Sequence, residues 1–427
     1  MSWRGEASLV AVAVFLAGGC GGSGEPAGDE RSEAVPAPAP SEPAEPSKLG
    51  EGPHPALLVS QAHFVLEGGA PIPQPGKVVI LRTNGKTWEE EVILDEGSNV
   101  VHKALPWRGG LLTIGGTRAR VVHWTRGPAG GWTPQILLER SWGGGFDRFR
   151  DVEIGDADGD GDDEIVLATH DQGVVVVGDE VDGTWTFTEM DQTPDTFVHE
   201  IEIGDVDGDG RPEFYATPSD RNLASLVSQP GSVVRYDWDA ESKSWKRSAV
   251  ADWEESHAKE ILVTDLGTGH DHLYAVREGH TEKTGGAVKV VDPVRIVRLE
   301  PTADGSWSQT LVATLEDQQC RVLVAGDVDG DGTVELIAAG MRSGVWLLEP
   351  ATDGSFTKTL IDANSSGFEH ATHVADLDGD GTPEIYVAAD DQKKVRRYTW
   401  NGSAFDKTDI ADTPARHITW NVQHGTF

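Results

Sequence analysis

DADGDGDDE, at residues 156–164, returns almost unchanged three more times: DVDGDGRPE at 205–213, DVDGDGTVE at 327–335 and DLDGDGTPE at 376–384. Each copy places carboxylates at positions 1, 3, 5 and 9, with glycines at positions 4 and 6. Alternating carboxylates with glycines between them let a tight loop surround one hard cation with oxygen, as Ca²⁺ prefers. The repeats therefore predict about four Ca²⁺ sites.

The predicted metal ligands are the carboxylates that occupy these four positions in each copy. They are Asp156, Asp158, Asp160, Glu164, Asp205, Asp207, Asp209, Glu213, Asp327, Asp329, Asp331, Glu335, Asp376, Asp378, Asp380 and Glu384. A fifth loop, around Asp265, has glycine at two positions where aspartate is expected, so the sequence leaves metal binding there open.

Short β-branched and aromatic runs flank every acidic loop, such as HEIEIG before one loop and EFYAT after it. Such runs predict strands. The last Glu of an EF-hand loop stands at position twelve and enters a helix. Here the last Glu stands at position nine and enters a predicted strand, so we expect each loop to join two strands.

A second repeat sets the number of structural units. An aromatic residue follows a turn and opens an alternating stretch at seven places: Trp88, Trp132, Trp185, Trp245, Trp307, Phe356 and Phe405. Another predicted strand precedes each of these turns. Each unit therefore has four predicted antiparallel strands, and radial repetition of such units protects sheet edges in β-propellers.

The fold predicted is all-β, a seven-bladed β-propeller of four-stranded antiparallel blades. The first unit lacks an inner strand, and RHITWNVQ near the C-terminus resembles an inner strand without a unit of its own. We therefore expect pairing of the N- and C-terminal strands to close the ring. Six or eight blades would require one of the longer units to be miscounted.

The acidic motif resembles the FG-GAP or VCBS repeats of integrin-α-type propellers, over roughly residues 54–427. The resemblance implies a propeller with bound Ca²⁺. It does not choose an activity, because such repeats occur in adhesion proteins, lectins and some sugar lyases and dehydratases. The first two units and the Asp265 loop depart from the motif.

The N-terminal sequence and the net charge predict where in the cell the protein is located. Residues 1–20 are expected to be a lipoprotein-type signal peptide with lipidation at Cys20, and residues 21–53 a disordered Pro/Gly/Glu-rich tether before a propeller at 54–427. The predicted location is the bacterial cell envelope, periplasmic or cell-surface. A formal charge of −36 argues against nucleic acid and anionic membrane surfaces, so membrane contact is expected through the lipid anchor only. We expect a monomer.

A basic or imidazole residue starts every predicted inner strand. These seven residues are His102, Arg150, His199, Lys259, Arg321, His370 and His417. Inner strands surround the central channel of a propeller, so the seven side chains are expected to crowd the mouth opposite the acidic loops. They either bond the backbone or a carboxylate of the next blade, such as Asp151, Glu200 or Glu369, or bind an anionic or polyhydroxylated ligand.

Two functions fit this pattern. The first is a non-enzymatic binding module for a glycan or a protein, stiffened by Ca²⁺. The alternative is a sugar-active lyase or dehydratase, in which His199, His370 or His417 would be the base and Arg150 and Arg321 would stabilise an enolate. We favour the binding module, because the chain has no nucleophile elbow, zinc-protease, P-loop or dinucleotide motif.

Overall fold

Seven four-stranded antiparallel sheets form a β-propeller in the computed structural model, which describes residues 48–50, 52–128, 130–144, 147–170, 172–220 and 228–427. This confirms the predicted all-β class and the seven blades. The helical content of the described residues is one 3-10 turn at Asp390–Gln392. No helix in these ranges is long and apolar enough to cross a membrane. The predicted signal peptide and Cys20 lie outside the described residues.

Blades 1 to 4 follow the predicted strand order. From the inner strand outward they contain, in blade 1, β31 (His417–Thr426), β1 (Pro55–Glu67), β3 (Gly76–Thr83) and β4 (Trp88–Asp95); in blade 2, β5 (Val101–Trp107), β6 (Gly110–Gly115), β7 (Arg120–Arg126) and β8 (Trp132–Glu139); in blade 3, β9 (Phe149–Gly155), β10 (Glu164–Thr169), β11 (Val175–Val181) and β12 (Thr184–Asp191); and in blade 4, β13 (Thr196–Gly204), β14 (Glu213–Asp220), β15 (Gly231–Asp239) and β16 (Ser244–Trp253).

Blades 5 to 7 repeat this plan, and two short hairpin strands are added elsewhere. The blades contain, in blade 5, β17 (Ala258–Thr264), β18 (His272–Arg277), β21 (Val294–Pro301) and β22 (Trp307–Leu315); in blade 6, β23 (Cys320–Gly326), β24 (Glu335–Gly340), β25 (Gly344–Pro350) and β26 (Phe356–Asp362); and in blade 7, β27 (Thr372–Ala375), β28 (Glu384–Ala389), β29 (Lys394–Trp400) and β30 (Phe405–Asp412). The additions are β2 (Ala70–Pro73), paired with the end of β1, and a β19 (His280–Thr284)–β20 (Ala287–Asp292) hairpin.

The ring closes where the sequence predicts. The C-terminal strand β31 pairs antiparallel with β1 from Pro55↔Thr426 to His63↔His417, and so supplies the inner strand of blade 1. Backbone bonds in both directions between His54 and Phe427 extend the pairing. The first blade is therefore built from both ends of the described chain.

The core consists of apolar layers between neighbouring blades. Seven buried clusters each draw residues from two consecutive blades, and blade 7 packs against blade 1 in the same way. The repeated aromatic of each blade packs into the layer shared with the preceding blade; Trp245 of blade 4, for example, joins the layer formed with blade 3. Burial of apolar area drives this packing, which explains why the aromatic recurs once per blade.

The joint between blades 7 and 1 depends on a close backbone approach at Gly85. Its φ is +83°, and a Cβ there would lie 2.7 Å from the Cβ of Asp378 in the acidic loop of blade 7. Gly85→Ala is therefore expected to lower the free energy of unfolding by about 2–4 kcal/mol, from backbone strain plus overpacking. Urea unfolding measures this loss.

Gly354 offers a matched control, because its φ is +84° and a Cβ there would meet nothing within 4 Å. Gly354→Ala should lower the free energy of unfolding only through backbone strain, by about 1 kcal/mol. Equal losses from the two variants would contradict the close approach at Gly85.

Candidate functional site

The four acidic loops join the inner strand to the second strand in blades 3, 4, 6 and 7. The last Glu of each motif is the first residue of the second strand, as in Glu164 of β10 and Glu335 of β24. This confirms that each loop connects two strands, unlike an EF-hand loop, which leads into a helix. All four therefore lie at the same end of their blades.

Carboxylate oxygens converge in every one of these loops. In blade 6 all four predicted ligands, Asp327, Asp329, Asp331 and Glu335, offer oxygens within 4.8 Å of one another. In the other three loops the first, third and ninth residues meet this distance, whereas the residues at position five (Asp160, Asp209 and Asp380) do not. Blade 6 has the most complete cluster.

Local hydrogen bonds fold the loop around its first aspartate. In blade 3, Asp156 accepts bonds from the backbone amides of Gly159 (2.7 Å) and Gly161 (3.1 Å). Both glycines have positive φ, 77° and 97°, which L side chains rarely adopt. The DGDG pattern therefore supplies the backbone geometry as well as the carboxylates.

Burial and mutual repulsion mark these clusters as sites for a cation. Burial raises the pKa of Glu164 and of Glu335 to about 7. Burial, with the charges of Asp160 and Asp156, also raises the pKa of Asp158. In blade 6, Oδ1 of Asp327 is buried without a hydrogen-bond partner. A bound Ca²⁺ would satisfy this oxygen and offset the repulsion, so the residues fit the predicted ion.

The raised pKa of Glu335 predicts a pH dependence in ion-free protein. Its folded pKa of about 7 lies above the ordinary value of 4.5, so the folded chain holds the proton more tightly than the unfolded chain. This contribution to stability is complete below about pH 4.5 and is lost as the pH rises through about 7. Relative to Glu335→Gln, the ion-free wild type should lose stability over this range.

Urea unfolding of both proteins in chelator, at several pH values, measures this difference. Comparison with the variant removes the contribution of the buried histidines, which also titrate. A difference that stays constant with pH, or that grows in favour of the wild type, would contradict the prediction.

The degraded loop of blade 5 is organised without a carboxylate cluster. The Asp265 carboxylate accepts bonds from the backbone amides of Thr268 and Gly269. His272 is the first residue of β18, where blades 3, 4, 6 and 7 have Glu. Within the described residues, no group of metal-capable side chains forms at this loop.

Five of the seven predicted basic residues meet at the other end of the channel. His102, Arg150, His199, Lys259 and Arg321 are all buried near the starts of their inner strands. Each lies where the register of its strand shifts by a bulge. Bulges re-aim a side chain, which explains how one position per blade turns toward a common centre.

These side chains bond to protein groups. Glu369 accepts bonds from Arg150 (2.9 Å) and Arg321 (2.5 Å), and Arg321 also contacts Glu278 at 3.3 Å. The Nζ of Lys259 lies 2.7 Å from Nε2 of His199. His102 bonds the carbonyl of Phe149 in the next blade at 2.5 Å. The bonds of Arg321 to Glu369 and of His102 to the backbone at Phe149 join neighbouring blades, as the structural alternative predicted, whereas Arg150 of blade 3 reaches Glu369 across the channel.

Burial and neighbouring charges shift the pKa values in this network strongly. Burial, reinforced by Arg321, lowers the pKa of Lys259 to about 7 although Glu278 opposes this. Burial opposes ionisation of Glu278, but Lys259 and its other basic neighbours hold the pKa of that carboxyl at about 2. Trp420 lies against Arg150 (5.4 Å), and Phe368 lies against Arg321 (4.5 Å). The mouth is therefore filled by paired charges and aromatic rings.

His370 and His417 are placed apart from this network. His370 has a φ of +54°; its Nδ1 lies 2.7 Å from the carbonyl of Gly340, and its Nε2 lies 2.8 Å from the hydroxyl of Ser365. His417 stacks on His63 at 5.0 Å and contacts Lys77. In blade 7, Glu369 rather than His370 reaches the basic residues. Sequence reasoning did not single out Glu278, which no motif marks.

A groove between blades 3 and 4 opens beside the acidic loop of blade 3. It has a volume of about 430 Å³ and is lined by both carboxylate and aromatic side chains, among them Asp158, Glu164, Asp179, Met190, Trp238 and Trp245. The rings of Trp238 and Trp245 lie with their centroids 5.3 Å apart and their planes tilted by 56°. The groove thus joins a predicted metal loop to two indole rings, on the side of the ring opposite to that predicted for the ligand.

A family model described as FG-GAP-like repeat matches residues 156–216 and 327–387. Each match begins at one acidic loop and includes the loop of the next blade. The chain therefore contains FG-GAP-like repeats, which confirms that part of the resemblance. No curated protein matches the chain.

Several solved structures share the fold at low identity. A candidate 6-phosphogluconolactonase from Bacteroides fragilis NCTC 9343 is 15% identical with a TM-score of 0.54, covering 89% of this chain and 100% of that one. A second candidate 6-phosphogluconolactonase, from Bacteroides uniformis ATCC 8492, is 13% identical with a TM-score of 0.55 (86% and 99%). A Lactobacillus plantarum protein is 11% identical with a TM-score of 0.54 (87% and 99%). At these identities the likeness shows the fold alone.

Proposed function

We propose that this chain is a Ca²⁺-binding propeller that acts as a binding module for a glycan or protein ligand, with a glycan favoured. It would work in the bacterial cell envelope as a monomer, tethered through a lipid on Cys20 and without contact to nucleic acid. The observation that carries the proposal is the groove between blades 3 and 4, where indole rings lie beside predicted metal ligands.

The chemistry of the groove suits a sugar. Trp238 and Trp245 offer apolar ring faces against which the C–H face of a sugar ring can stack. The carboxylate of Asp179 can accept bonds from hydroxyl groups. A Ca²⁺ bound to the loop of blade 3 would be able to coordinate hydroxyl oxygens of the sugar next to these groups. A cavity of about 430 Å³ lies in the usual range for small-ligand sites.

Trp238→Ala should weaken glycan binding by about tenfold or more, because it removes one stacking face, a loss of at least about 1.4 kcal/mol. The measurement is a glycan array on Ca²⁺-loaded protein, followed by titration of the glycans that bind.

Trp400→Ala is the matched control for this substitution. Trp400 pairs with Phe405 at the end of the third strand of blade 7, as Trp238 pairs with Trp245 in blade 4. Equal loss from both variants, or no loss from Trp238→Ala, would contradict the groove as the ligand site.

The alternative is a sugar-active lyase or dehydratase at the basic residues. Two of the proposed bases, His199 and His370, are buried. His199 contacts Lys259 in the channel, and His370 bonds protein groups between blades 6 and 7. This arrangement supports a structural role for them. Elimination or dehydration of oligosaccharides or uronates that is abolished by His199→Gln and His370→Gln would establish the enzyme instead.

A further inference from the structure

The four acidic loops differ in the residues behind them. In blades 4 and 7 a tyrosine follows the last Glu by two positions, and the third strand places an arginine opposite it: Tyr215↔Arg235 and Tyr386↔Arg397. At the same register blades 3 and 6 have Val166↔Val177 and Ile337↔Leu347. Two loops are therefore backed by Tyr and Arg, and two by aliphatic side chains.

Arg235 enters the acidic loop of blade 4. Its Nη2 lies 2.6 Å from Oδ2 of Asp207, and its Nη1 lies 3.8 Å from Oε1 of Glu213. Tyr215 donates its hydroxyl hydrogen to the same Glu213 carboxylate. Two of the three carboxylates that converge in this loop are thus already paired with a guanidinium.

Arg397 repeats this arrangement in blade 7. Its Nη2 lies 2.6 Å from Oδ2 of Asp378 and 2.9 Å from Oε1 of Glu384. The hydroxyl of Tyr386 donates to Glu384 at 2.7 Å. In the described residues no lysine or arginine forms such a pair with the predicted ligands of blades 3 and 6.

We infer that Arg235 and Arg397 are built-in cations that replace Ca²⁺, so that tight Ca²⁺ binding is confined to the loops of blades 3 and 6. The inference rests on the calcium part of the proposed function and divides its four loops into two classes. In each pair a guanidinium nitrogen lies 2.6 Å from a carboxylate oxygen, so a Ca²⁺ bound to that oxygen at the usual Ca–O distance would lie within about 5 Å of the nitrogen. Repulsion at that distance is expected to weaken binding on the order of 100-fold.

The contacts of Arg397 indicate a structural role for an arginine in place of Ca²⁺. Its Nη1 donates to the carbonyl of Gly85 in blade 1 at 3.2 Å. The arginine therefore links the loop of blade 7 to the blade in which the ring closes. Because the guanidinium is part of the chain, it links blades 7 and 1 at any Ca²⁺ concentration. The loops of blades 3 and 6 would instead be stabilised only when Ca²⁺ is bound.

Equilibrium dialysis of the full chain with radioactive Ca²⁺ tests the inference. The wild type should bind two Ca²⁺ tightly, and any further binding should require about 100-fold more Ca²⁺. Asp156→Ala and Asp327→Ala should each remove one tight site. Asp205→Ala and Asp376→Ala, in the arginine-backed loops, should leave both tight sites in place, and this comparison does not depend on altering an arginine.

Arg397→Gln and Arg235→Gln should each add one tight site. The matched control is Arg396→Gln, because the neighbouring Arg396 pairs with Asp362 and Asp409 and not with the loop. Arg396→Gln should leave the count at two. Four equivalent sites in the wild type, or no gain in both loop variants, would overturn this inference alone. Absence of Ca²⁺ binding in every variant would overturn it together with the proposed calcium function.

Discussion

Chelation of Ca²⁺ is expected to lower the melting temperature of the chain by about 10 °C or more. The loops of blades 3 and 6 gather carboxylates whose repulsion a bound cation would relieve. At a free concentration 100 times the dissociation constant, each occupied site adds about 2.7 kcal/mol to stability. Two such sites give about 5 kcal/mol, and about 2–4 °C accompanies each kcal/mol in large domains. Differential scanning calorimetry with and without chelator measures the shift.

Re-addition separates the effect of the ion from damage to the protein. Ca²⁺ should restore the melting temperature, whereas Mg²⁺ should restore less, since it requires near-octahedral geometry and keeps its water. Asp327→Ala should halve the shift, because each loop is local to one blade. A melting temperature that does not respond to chelator would contradict the role of Ca²⁺ as the brace of this ring.

Loss of Glu369 is expected to be the most damaging single change at the opposite face. The carboxylate is buried and accepts bonds from Arg150 and Arg321 at 2.9 and 2.5 Å. Glu369→Ala would leave two buried guanidinium groups without this partner, and breaking a buried ion pair costs about 3–5 kcal/mol. Urea unfolding at constant Ca²⁺ measures the loss.

Two comparisons make the Glu369 prediction specific. Glu349→Ala, on a half-buried side chain at the end of β25, should cost less than about 0.5 kcal/mol. Acetate or formate should recover part of the stability of Glu369→Ala, because a small carboxylate can occupy the vacated position between the arginines. A Glu369→Ala protein within about 1 kcal/mol of the wild type would show that the channel mouth is open to water.

Sequence spacing predicted the fold because each blade carries two independent markers, the acidic loop and the aromatic residue. Trp245 and its counterparts recur because each fills the layer between its own blade and the one before. The closing strand was also predictable, since RHITWNVQ at residues 416–423 had the pattern of an inner strand without a unit of its own. These features depend on local composition, which a sequence displays directly.

The candidate sites were less predictable because they depend on the orientation of side chains in the folded structure. His370 occupies the predicted position in the pattern, but its positive φ turns it between blades 6 and 7, and Glu369 reaches the arginines instead. The arginine-backed loops depend on pairing across strands, Tyr215 with Arg235 and Tyr386 with Arg397. The arginines of RYDW (235–238) and RYTW (397–400) are visible in the sequence, but only the strand register shows that they lie opposite Tyr215 and Tyr386.

The pairing of β31 with β1 also determines how the ring bears mechanical load. A pull on the chain before Pro55 enters β1, which is held by β31 on one side and by β3 on the other. Such a force acts along a central strand, so many backbone hydrogen bonds must break at once instead of unzipping singly from an edge. The ring would therefore resist extension best at its N-terminus.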